Sequence, residues 1–336
     1  MNLRVVDTPA PVAKPVKAVA PPARNPGFPL DLDWVGRIRM NRSALERRAA
    51  TIGARRTVKK EWQAAWLLRA ITLIDLTTLN SDDTPGRVER LCAKARHPLT
   101  SDIIEGYGIE DLRIVPAAVC VYHAFVPTAV RALEGSGIPV AAVSTAFPHG
   151  LAPFDTKVRE IEESVAAGAK EIDIVIERQM VLTGDWQGLY DQIKAFRKAC
   201  GEAHLKTILG TGELATLNNV AKASLVCMLA GADFIKTSTG KEKVNASLPV
   251  SLAMIRMIRW FAEETGVEIG YKPAGGISSA KTALDYMALV KEELGTHWLQ
   301  PHLFRFGASS LLTDIERQLE HNLTGRYSVD YRQPMV

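Results

Sequence analysis

Short runs of apolar and β-branched residues alternate with longer segments of mixed polarity along most of this chain. Each run is short enough to be a buried strand, and the segment after each run is able to form a helix. The runs predict eight strands, at Ile71–Asp75, Ala117–Val121, Val140–Val143, Glu171–Ile176, His204–Leu209, Phe234–Thr237, Ile269–Lys272 and Phe304–Gly307. Strands that alternate with helices indicate right-handed crossovers and a parallel sheet. Eight such units over about 250 residues favour a closed (β/α)8 barrel, the TIM barrel.

A doubly wound open sheet is the alternative arrangement of the same units. That fold is expected to carry a glycine-rich GxGxxG turn after its first strand, and the segment DLTTLNSDD lacks one. The pattern therefore predicts an α/β chain in four parts. These are a disordered Pro/Ala-rich tail over 1–30, an N-terminal helical extension over 31–70, the barrel catalytic domain over 71–323, and a C-terminal tail over 324–336.

Composition and charge narrow the class of protein. Apolar residues make up 47% of the 336 residues and charged residues 23%, as in an ordinary globular enzyme. The net charge of +4, without a long basic run, argues against a nucleic-acid partner. No apolar run approaches the ~18 residues of a membrane helix, so no membrane partner is expected. The four cysteines lie far apart, which favours free thiols and a cytoplasmic protein.

Charged side chains end several of the predicted strands. In a (β/α)8 barrel the chemistry lies at the carboxyl ends of the strands. Those ends carry Asp75, Asp173, Lys206, Lys236 and Lys272. Unpaired charge is costly in a packed interior, so this set indicates a functional site.

Lys236 is the main candidate for covalent chemistry. It ends the sixth strand in ADFIKTSTGK, and Lys272 ends the seventh in GYKPAGG. Adjacent parallel strands lie about 4.8 Å apart, so two inward lysines would be close neighbours. Like charges about 6 Å apart at an effective dielectric of about 20 repel by ~2.8 kcal/mol, or about two pKa units. A neutral amine is what attack on a carbonyl requires; a lysine that extends to solvent is the alternative.

Three further strand residues have more than one possible role. Asp173 faces the lysines and is suited to proton transfer, or it forms only a structural salt bridge. Asp75 orients a substrate hydroxyl or a lysine, or it caps the loop that follows. Cys120, alone in an apolar strand, is interpreted as part of the pocket wall.

Glycine-containing loops follow the last three predicted strands, with the sequences TSTGK, AGG and GASS. Glycine loops and helix N-termini present backbone N–H groups to an anion. Barrels often bind phosphate after their last two strands. We therefore predict a phosphate site formed by Thr239, Gly240, Gly275, Gly276, Ser309 and Ser310.

The blocks LIDLTTLNSDDT, LKTILGTGEL, FIKTSTGK, KPAGG and RFGASSLL occur in this order within residues 71–313. Together they resemble the deoxyribose-phosphate aldolase family, in its longer version with an N-terminal helical extension. The resemblance implies reversible Schiff-base (class I) cleavage of 2-deoxy-D-ribose 5-phosphate to acetaldehyde and D-glyceraldehyde 3-phosphate, in deoxyribonucleoside catabolism. It implies Lys236 as the Schiff-base lysine, Lys272 as the second lysine and Asp173 as the proton-transfer aspartate. The implied pocket positions are Lys206, Asp75, Thr77 and Cys120.

The expected partners are small-molecule phosphosugar and aldehyde substrates, and the chain is expected to form a homo-oligomer. No metal or other cofactor is expected, because the seven histidines are scattered and a metal-dependent aldolase needs a cluster of ligands. Two features depart from the family pattern. Ala146 stands where a polar residue is expected, and the family's terminal tyrosine has Tyr327, Tyr331 or neither as its counterpart.

The sequence leaves two other functions possible. A transaldolase also uses a barrel lysine, but the lysine pair on adjacent strands argues against it. A non-catalytic phosphosugar-binding protein would keep the glycine loops without needing both Lys236 and Lys272.

Overall fold

The computed structural model describes residues 24–55, 57–329 and 332–333. Within them, the strands are β1 Ile74–Thr77, β2 Ala118–Tyr122, β3 Val140–Ser144, β4 Glu171–Val175, β5 His204–Ile208, β6 Phe234–Lys236, β7 Gly270–Lys272 and β8 Phe306–Ala308. The helices are α1 Leu32–Arg37, α2 Arg42–Ala50, α3 Ile52–Arg55, α4 Lys60–Ile71, α5 Pro85–Arg96, α6 Ser101–Tyr107, α7 Val126–Ala132, α8 Phe154–Ala166, α9 Arg178–Thr183, α10 Trp186–Cys200, α11 Leu217–Leu229, α12 Leu248–Thr265, α13 Ala280–Leu294 and α14 Ser310–Thr324.

The strands form one closed barrel. Consecutive strands pair in parallel from β1 to β7, and β8 pairs with β1. The circle closes between β7 and β8, where Tyr271 N–H donates to Leu303 O (2.9 Å) and Gly307 N–H donates to Pro273 O (3.0 Å). The predicted (β/α)8 TIM barrel is therefore confirmed, and the open-sheet alternative is excluded.

Two strands begin later than the apolar pattern predicts. Helix α4 continues through Ile71, and Leu73 N–H donates to Ala70 O before β1 begins at Ile74. Phe304 forms a single bridge with Tyr271, and β8 begins only at Phe306. Both shifts occur at element ends, where an apolar run does not distinguish a final helical turn or a bridge from a strand.

The N-terminal helices cover the outside of the barrel. Helix α1 contacts α11, α2 packs along α12, and α4 lies against α13 and α14. Trp34 stacks on Phe261 with ring centroids 6.2 Å apart and so attaches α1 to α12. None of the helices in the described part of the chain is both long and apolar enough to cross a membrane.

Residues 24–30 belong to the segment predicted as a disordered tail. The buried Asn25 side chain donates to Met228 O (2.7 Å) and Ala232 O (2.9 Å), and Phe28 N–H donates to Leu229 O (2.7 Å). These donors bind the carbonyls of Met228 and Leu229, which have no partner within α11, and that of Ala232 in the loop after the helix. The described part of the predicted tail is therefore packed on the barrel, and residues 1–23 lie outside the described residues.

Candidate active site

Strand alternation turns every second side chain into the barrel. The register pairs Asp173 of β4 with Lys206 of β5, and Lys236 of β6 with Lys272 of β7. The predicted cluster of lysines around a carboxylate therefore forms because four neighbouring strands present charged residues to the same interior.

Asp173 is the centre of this cluster. Its Oδ2 accepts hydrogen bonds from Lys236 Nζ and Lys272 Nζ, each at 2.8 Å, and its Oδ1 accepts from Lys206 Nζ at 2.9 Å. Because both contacts to Oδ2 are 2.8 Å long, the nitrogens of Lys236 and Lys272 are separated by at most twice 2.8 Å. All four side chains are buried, so each of these contacts acts in a medium of low dielectric.

A second layer of charges lies deeper in the barrel. Asp75 accepts from Lys272, from Lys206 (3.2 Å) and from Arg305 (2.5 Å). Glu171 pairs with Lys206 (2.5 Å) and with Arg305 (2.8 Å). Neither Glu171 nor Arg305 is among the site residues predicted from the sequence. The available signal is alternation, because Glu171 lies two residues before Asp173 on the same strand.

The opposite part of the interior is apolar. Strands β2 and β3 contribute Ala118, Cys120, Ala141 and Val143, and Leu79 packs against them. Cys120 is fully buried, and burial raises the pKa of its thiol. Cys120 does not line the cleft at the carboxyl ends of the strands, and a buried thiol with a raised pKa is unsuited to act as a nucleophile.

Burial and ion pairing act in opposite directions on the buried lysines. Burial is the largest influence on Lys236, and with the charge of Lys272 it outweighs the contact to Asp173, so the pKa of Lys236 is lowered. Burial also acts on Lys272 and Lys206, but their carboxylate neighbours outweigh it and raise the pKa of both. Burial would raise the pKa of Asp173, but the three lysines hold it well below its ordinary value. Lys236 is therefore the lysine of this cluster closest to the neutral form.

A cleft of about 240 Å³ opens at the carboxyl ends of β1, β6, β7 and β8. Lys236 lines this cleft with 3% of its side chain exposed, whereas Lys206, Lys272 and Asp173 are fully buried. Thr77, a predicted pocket residue, also lines the cleft. A molecule in the cleft therefore reaches Lys236 before the other charged groups of the buried cluster.

The six residues predicted to bind phosphate all line this cleft: Thr239, Gly240, Gly275, Gly276, Ser309 and Ser310. Gly275 and Gly276 have φ angles of +82° and +79°, and a Cβ on Gly275 would lie 2.6 Å from the side chain of Asn245. This turn therefore requires glycine. The N–H groups of Gly275, Gly276 and Ser309 donate to no backbone carbonyl among the described residues. Lys241 adds a cation to the cleft wall.

The loop after β6 differs from the other two because a carboxylate of the protein already binds its donors. Glu242 accepts from Thr239 N–H (3.0 Å), Thr239 Oγ1 (2.6 Å) and Gly240 N–H (3.2 Å). Arg178 donates to Glu242 (3.1 Å) and to His149 O (3.0 Å) in the loop after β3. The β6 loop is therefore held in shape by Glu242, and the N–H groups available to an anion are those after β7 and β8.

Ala146 and Tyr327, which belong to the two departures from the family pattern, do not line the cleft. Ala146 adopts a left-handed φ of 58°, and its N–H donates to Glu160 (2.8 Å). Tyr327 stacks on His321 of α14 with ring centroids 4.0 Å apart. Tyr331 lies outside the described residues. Within the part of the chain that the structure describes, no group of three His, Cys, Asp or Glu side chains could hold a metal ion.

Residues 69–314 match the DeoC/LacD family aldolase domain. The chain belongs to this aldolase family. It is 58% identical to the deoxyribose-phosphate aldolase of Homo sapiens over 315 residues, which cover 93% of this chain and 99% of the human protein. Identity to the deoxyribose-phosphate aldolase of Mus musculus is also 58%, covering 92% and 98%. The fold is similar to that of the deoxyribose-phosphate aldolase from Aeropyrum pernix, with a TM-score of 0.57 at 22% identity, covering 83% and 99%.

Membership of this family confirms the family and the enzyme class predicted from the sequence. The chain is an aldolase, and the transaldolase and non-catalytic alternatives lose their support. The family assignment also agrees with the geometry, since an aldolase of this kind needs a lysine that reaches a cleft.

Proposed function

We propose that this chain is a deoxyribose-phosphate aldolase that cleaves 2-deoxy-D-ribose 5-phosphate reversibly to acetaldehyde and D-glyceraldehyde 3-phosphate, through a Schiff base at Lys236. The observation that carries the proposal is the position of Lys236. Its amine is held by one carboxylate at 2.8 Å, has a lowered pKa and lines the cleft. The 58% identity to the human and mouse deoxyribose-phosphate aldolases supports the choice of substrate.

The phosphate end of the substrate binds at the loops after β7 and β8. The N–H groups of Gly275, Gly276 and Ser309 supply hydrogen bonds there, and Ser310 begins α14, so the positive end of a helix dipole faces the same place. Lys241 contributes a positive charge. This anchoring leaves the aldehyde carbon of the open-chain sugar directed towards Lys236.

The reaction begins when the neutral amine of Lys236 adds to the C1 aldehyde and the adduct loses water to give a protonated imine. Loss of the proton from the C3 hydroxyl then breaks the C2–C3 bond and releases D-glyceraldehyde 3-phosphate. The bonding electrons move into an enamine, with the protonated imine as the electron sink. Protonation at C2 and hydrolysis of the imine release acetaldehyde and restore Lys236.

Asp173 transfers these protons, and its direct contact with Lys236 supports this role. Its low pKa keeps it ionised at neutral pH, so it accepts hydrogen bonds from the reacting groups or from one intervening water. Lys272 and Lys206 stay protonated beside it and keep it in place. Asp75 fixes both of these lysines from below.

The remaining parts of the proposal follow from the surroundings of the site. Thr77 lines the cleft next to the reacting carbons, and Cys120 belongs to the buried apolar group that also contains Leu79. The four cysteines are buried and unpaired, which fits a reducing cytoplasm. We propose a homo-oligomer that acts on small phosphosugar and aldehyde substrates and requires no cofactor.

Borohydride reduction in the presence of acetaldehyde tests the covalent step. Reduction of the imine leaves an ethyl group on the lysine that formed it, and peptide mass mapping locates that group. We expect it on Lys236, and we expect none in Lys236→Arg. Lys241→Met serves as the control for a cleft lysine outside the buried cluster. An ethyl group on Lys272 or Lys206, or no adduct in an enzyme that turns over, would overturn the assignment.

A further inference from the structure

Arg305 is buried beneath the proposed catalytic residues and contacts none of the cleft. Its guanidinium donates to Asp75 Oδ1 (2.5 Å) and to Glu171 Oε1 (2.8 Å), so it joins both carboxylates of the deeper layer. The guanidinium carbon lies 5.6 Å from the ring centroid of Phe234, which fills the barrel interior opposite Gly270. Arg305 is therefore held by specific contacts, yet it has no role in the reaction steps proposed for Lys236 and Asp173.

The charges of the cluster suggest that use. Four cations, Lys206, Lys236, Lys272 and Arg305, meet three carboxylates, Asp75, Glu171 and Asp173. With every lysine protonated, this group carries one excess positive charge in a medium of low dielectric, which is costly. With Lys236 neutral, three cations balance three carboxylates. Lys236 is also the member with one carboxylate partner, whereas Lys272 has two and Lys206 has three.

We propose that Arg305 and Glu171 are positioning residues of the aldolase reaction, which set the charge balance of the buried cluster so that Lys236 is the member left without a proton. This inference rests on the proposed function. Arg305 contributes a permanent charge that compensates the deeper carboxylates, and Lys206 and Lys272 compensate the rest. Lys236 is then free to act as an amine instead of as a counter-ion.

The identity of the side chain matters for this role. A guanidinium is always protonated at working pH and reaches two carboxylates with a planar fork of donors. A lysine at this position would hold one carboxylate well and would itself exchange protons with the cluster. Arg305 therefore supplies a charge that does not titrate, in a cluster whose other cations do.

The balance includes the charged and titratable groups buried around Lys236; Lys241, which lines the same cleft, is exposed to solvent and lies outside the buried cluster. Asp173 and Lys272 influence it directly, Asp75, Glu171, Lys206 and Arg305 follow through shared contacts, and the Cys120 thiol lies in the same interior. His204 lies at the start of β5, paired in register with Glu171, and burial lowers its pKa to about 3. His204 and Cys120 are thus neutral near pH 7, so the balance depends on the seven charged side chains.

The pH dependence of the reaction distinguishes the two residues by opposite signs. Without the cation of Arg305, the carboxylates hold a proton on Lys236 more strongly, so Arg305→Met moves the acid limb of the kcat/KM profile to higher pH by about one unit. Without the negative charge of Glu171, Glu171→Gln moves the same limb to lower pH by a similar amount. The double variant restores the balance between cations and carboxylates, so the acid limb returns towards its wild-type pH. Arg42→Met, on an exposed arginine, is the matched control and leaves the profile unchanged.

A second readout makes the test independent of turnover. Competitive labelling with an amine-reactive reagent, followed by peptide mass mapping, gives the reactivity of Lys236 at each pH. We expect the midpoint of that reactivity to shift in the same directions as the acid limb. If Arg305→Met fails to fold, Glu171→Gln and Arg305→Lys are measured instead. We expect the midpoint of Lys236 reactivity in Arg305→Lys to lie nearer to wild type than the midpoint in any fraction of Arg305→Met that folds.

The results separate two failures. Active enzyme with the imine trapped on Lys236, but with midpoints that do not move or that move in one common direction, would overturn the charge-balance inference alone. Enzyme in which no imine forms on Lys236 would overturn the proposed function, whatever the labelling shows. Opposite shifts with recovery in the double variant support the inference.

Discussion

The barrel interior has a charged half and an apolar half, and burial affects the pKa values of their side chains differently. Strands β4 to β7, with Asp75 and Arg305 beside them, hold seven buried charged side chains in mutual contact. Strands β2 and β3 hold Ala118, Cys120, Ala141 and Val143. Both halves are buried, and Lys206, Lys272 and Cys120 all keep their protons. The lysines keep theirs in the charged form, whereas the thiol keeps its proton in the neutral form. Carboxylates stabilise the charged lysines, and no cation outweighs burial at the sulfur.

Lys236 is intermediate between these two cases, because burial and a carboxylate both act strongly on its pKa. Burial lowers its pKa more than any neighbour does, Asp173 opposes that effect, and the charge of Lys272 reinforces it. The sequence predicts the lysine pair as the source of the neutral amine. The structure corrects the order of causes, because burial comes first and Lys272 second. The lowered pKa of Lys236 therefore depends more on burial than on the charge of the neighbouring lysine.

The largest effect is expected from removing the shared carboxylate of the charged half. Asp173→Asn keeps the shape but loses the acceptor charge, and we expect turnover to fall by about 10² or more, the scale of a general-base contribution. The lost charge also lowers the pKa of Lys236 further, so the loss does not arise from a protonated amine. Deuterium exchange into the methyl group of acetaldehyde should fall in parallel with cleavage.

Folding must be checked in this variant, because removing one partner from a buried ion pair costs about 3–5 kcal/mol. Circular dichroism and thermal melting give that control. Near wild-type exchange and cleavage in a folded Asp173→Asn would make Asp173 a structural partner of the lysines, and the charged half would then have no direct part in proton transfer.

A smaller effect is expected from Lys272→Met, which shifts the charged half towards negative. Asp75 and Asp173 then have one cation fewer, so a proton on Lys236 is stabilised and its pKa rises. The acid limb of the pH profile moves to higher pH, and the rate near pH 7 falls roughly 10- to 100-fold. Because burial still acts, the amine does not regain its ordinary pKa. An unchanged limb would show that Lys272 has no electrostatic influence on Lys236.

Sequence reasoning locates the strands and most of the cluster because strand ends and alternation are local properties. Lys236, Lys272 and Asp75 follow from the place where a predicted apolar run ends, whereas Asp173 and Lys206 lie in the middle of β4 and β5 and follow from strand alternation. Arg305 does not, because it precedes β8 and its partners lie on β1 and β4, so only closure of the barrel brings them together. Glu242 is missed for a similar reason. A glycine loop indicates donors, but the sequence does not show that a nearby carboxylate already binds them.

The cleft rim offers a change that leaves both halves intact. Glu242→Gln removes the charge that holds Thr239 and Gly240 and that pairs with Arg178. We expect KM for the phosphorylated substrate to rise about tenfold, since charge-assisted hydrogen bonds are worth about 1.5–3 kcal/mol each and the loop loses part of that support. The rate with unphosphorylated 2-deoxyribose should barely change. Glu263→Gln, on the exposed surface of α12, is the matched control. Equal losses with both sugars would indicate general damage to the barrel instead.

The smallest effect is expected in the apolar half, from Cys120→Ala. The thiol is buried and its pKa is raised, so it carries no charge for Lys236 to respond to, and alanine leaves the wall apolar. We expect stability to fall by about 1 kcal/mol from the small cavity and kcat/KM to stay within about threefold, with the acid limb unmoved. Cys120→Asp supplies the contrast, because a carboxylate there would raise the pKa of Lys236 and move the limb to higher pH. A large loss in Cys120→Ala with normal folding would mean that the sulfur takes part in the reaction, and the apolar half would no longer be only a wall.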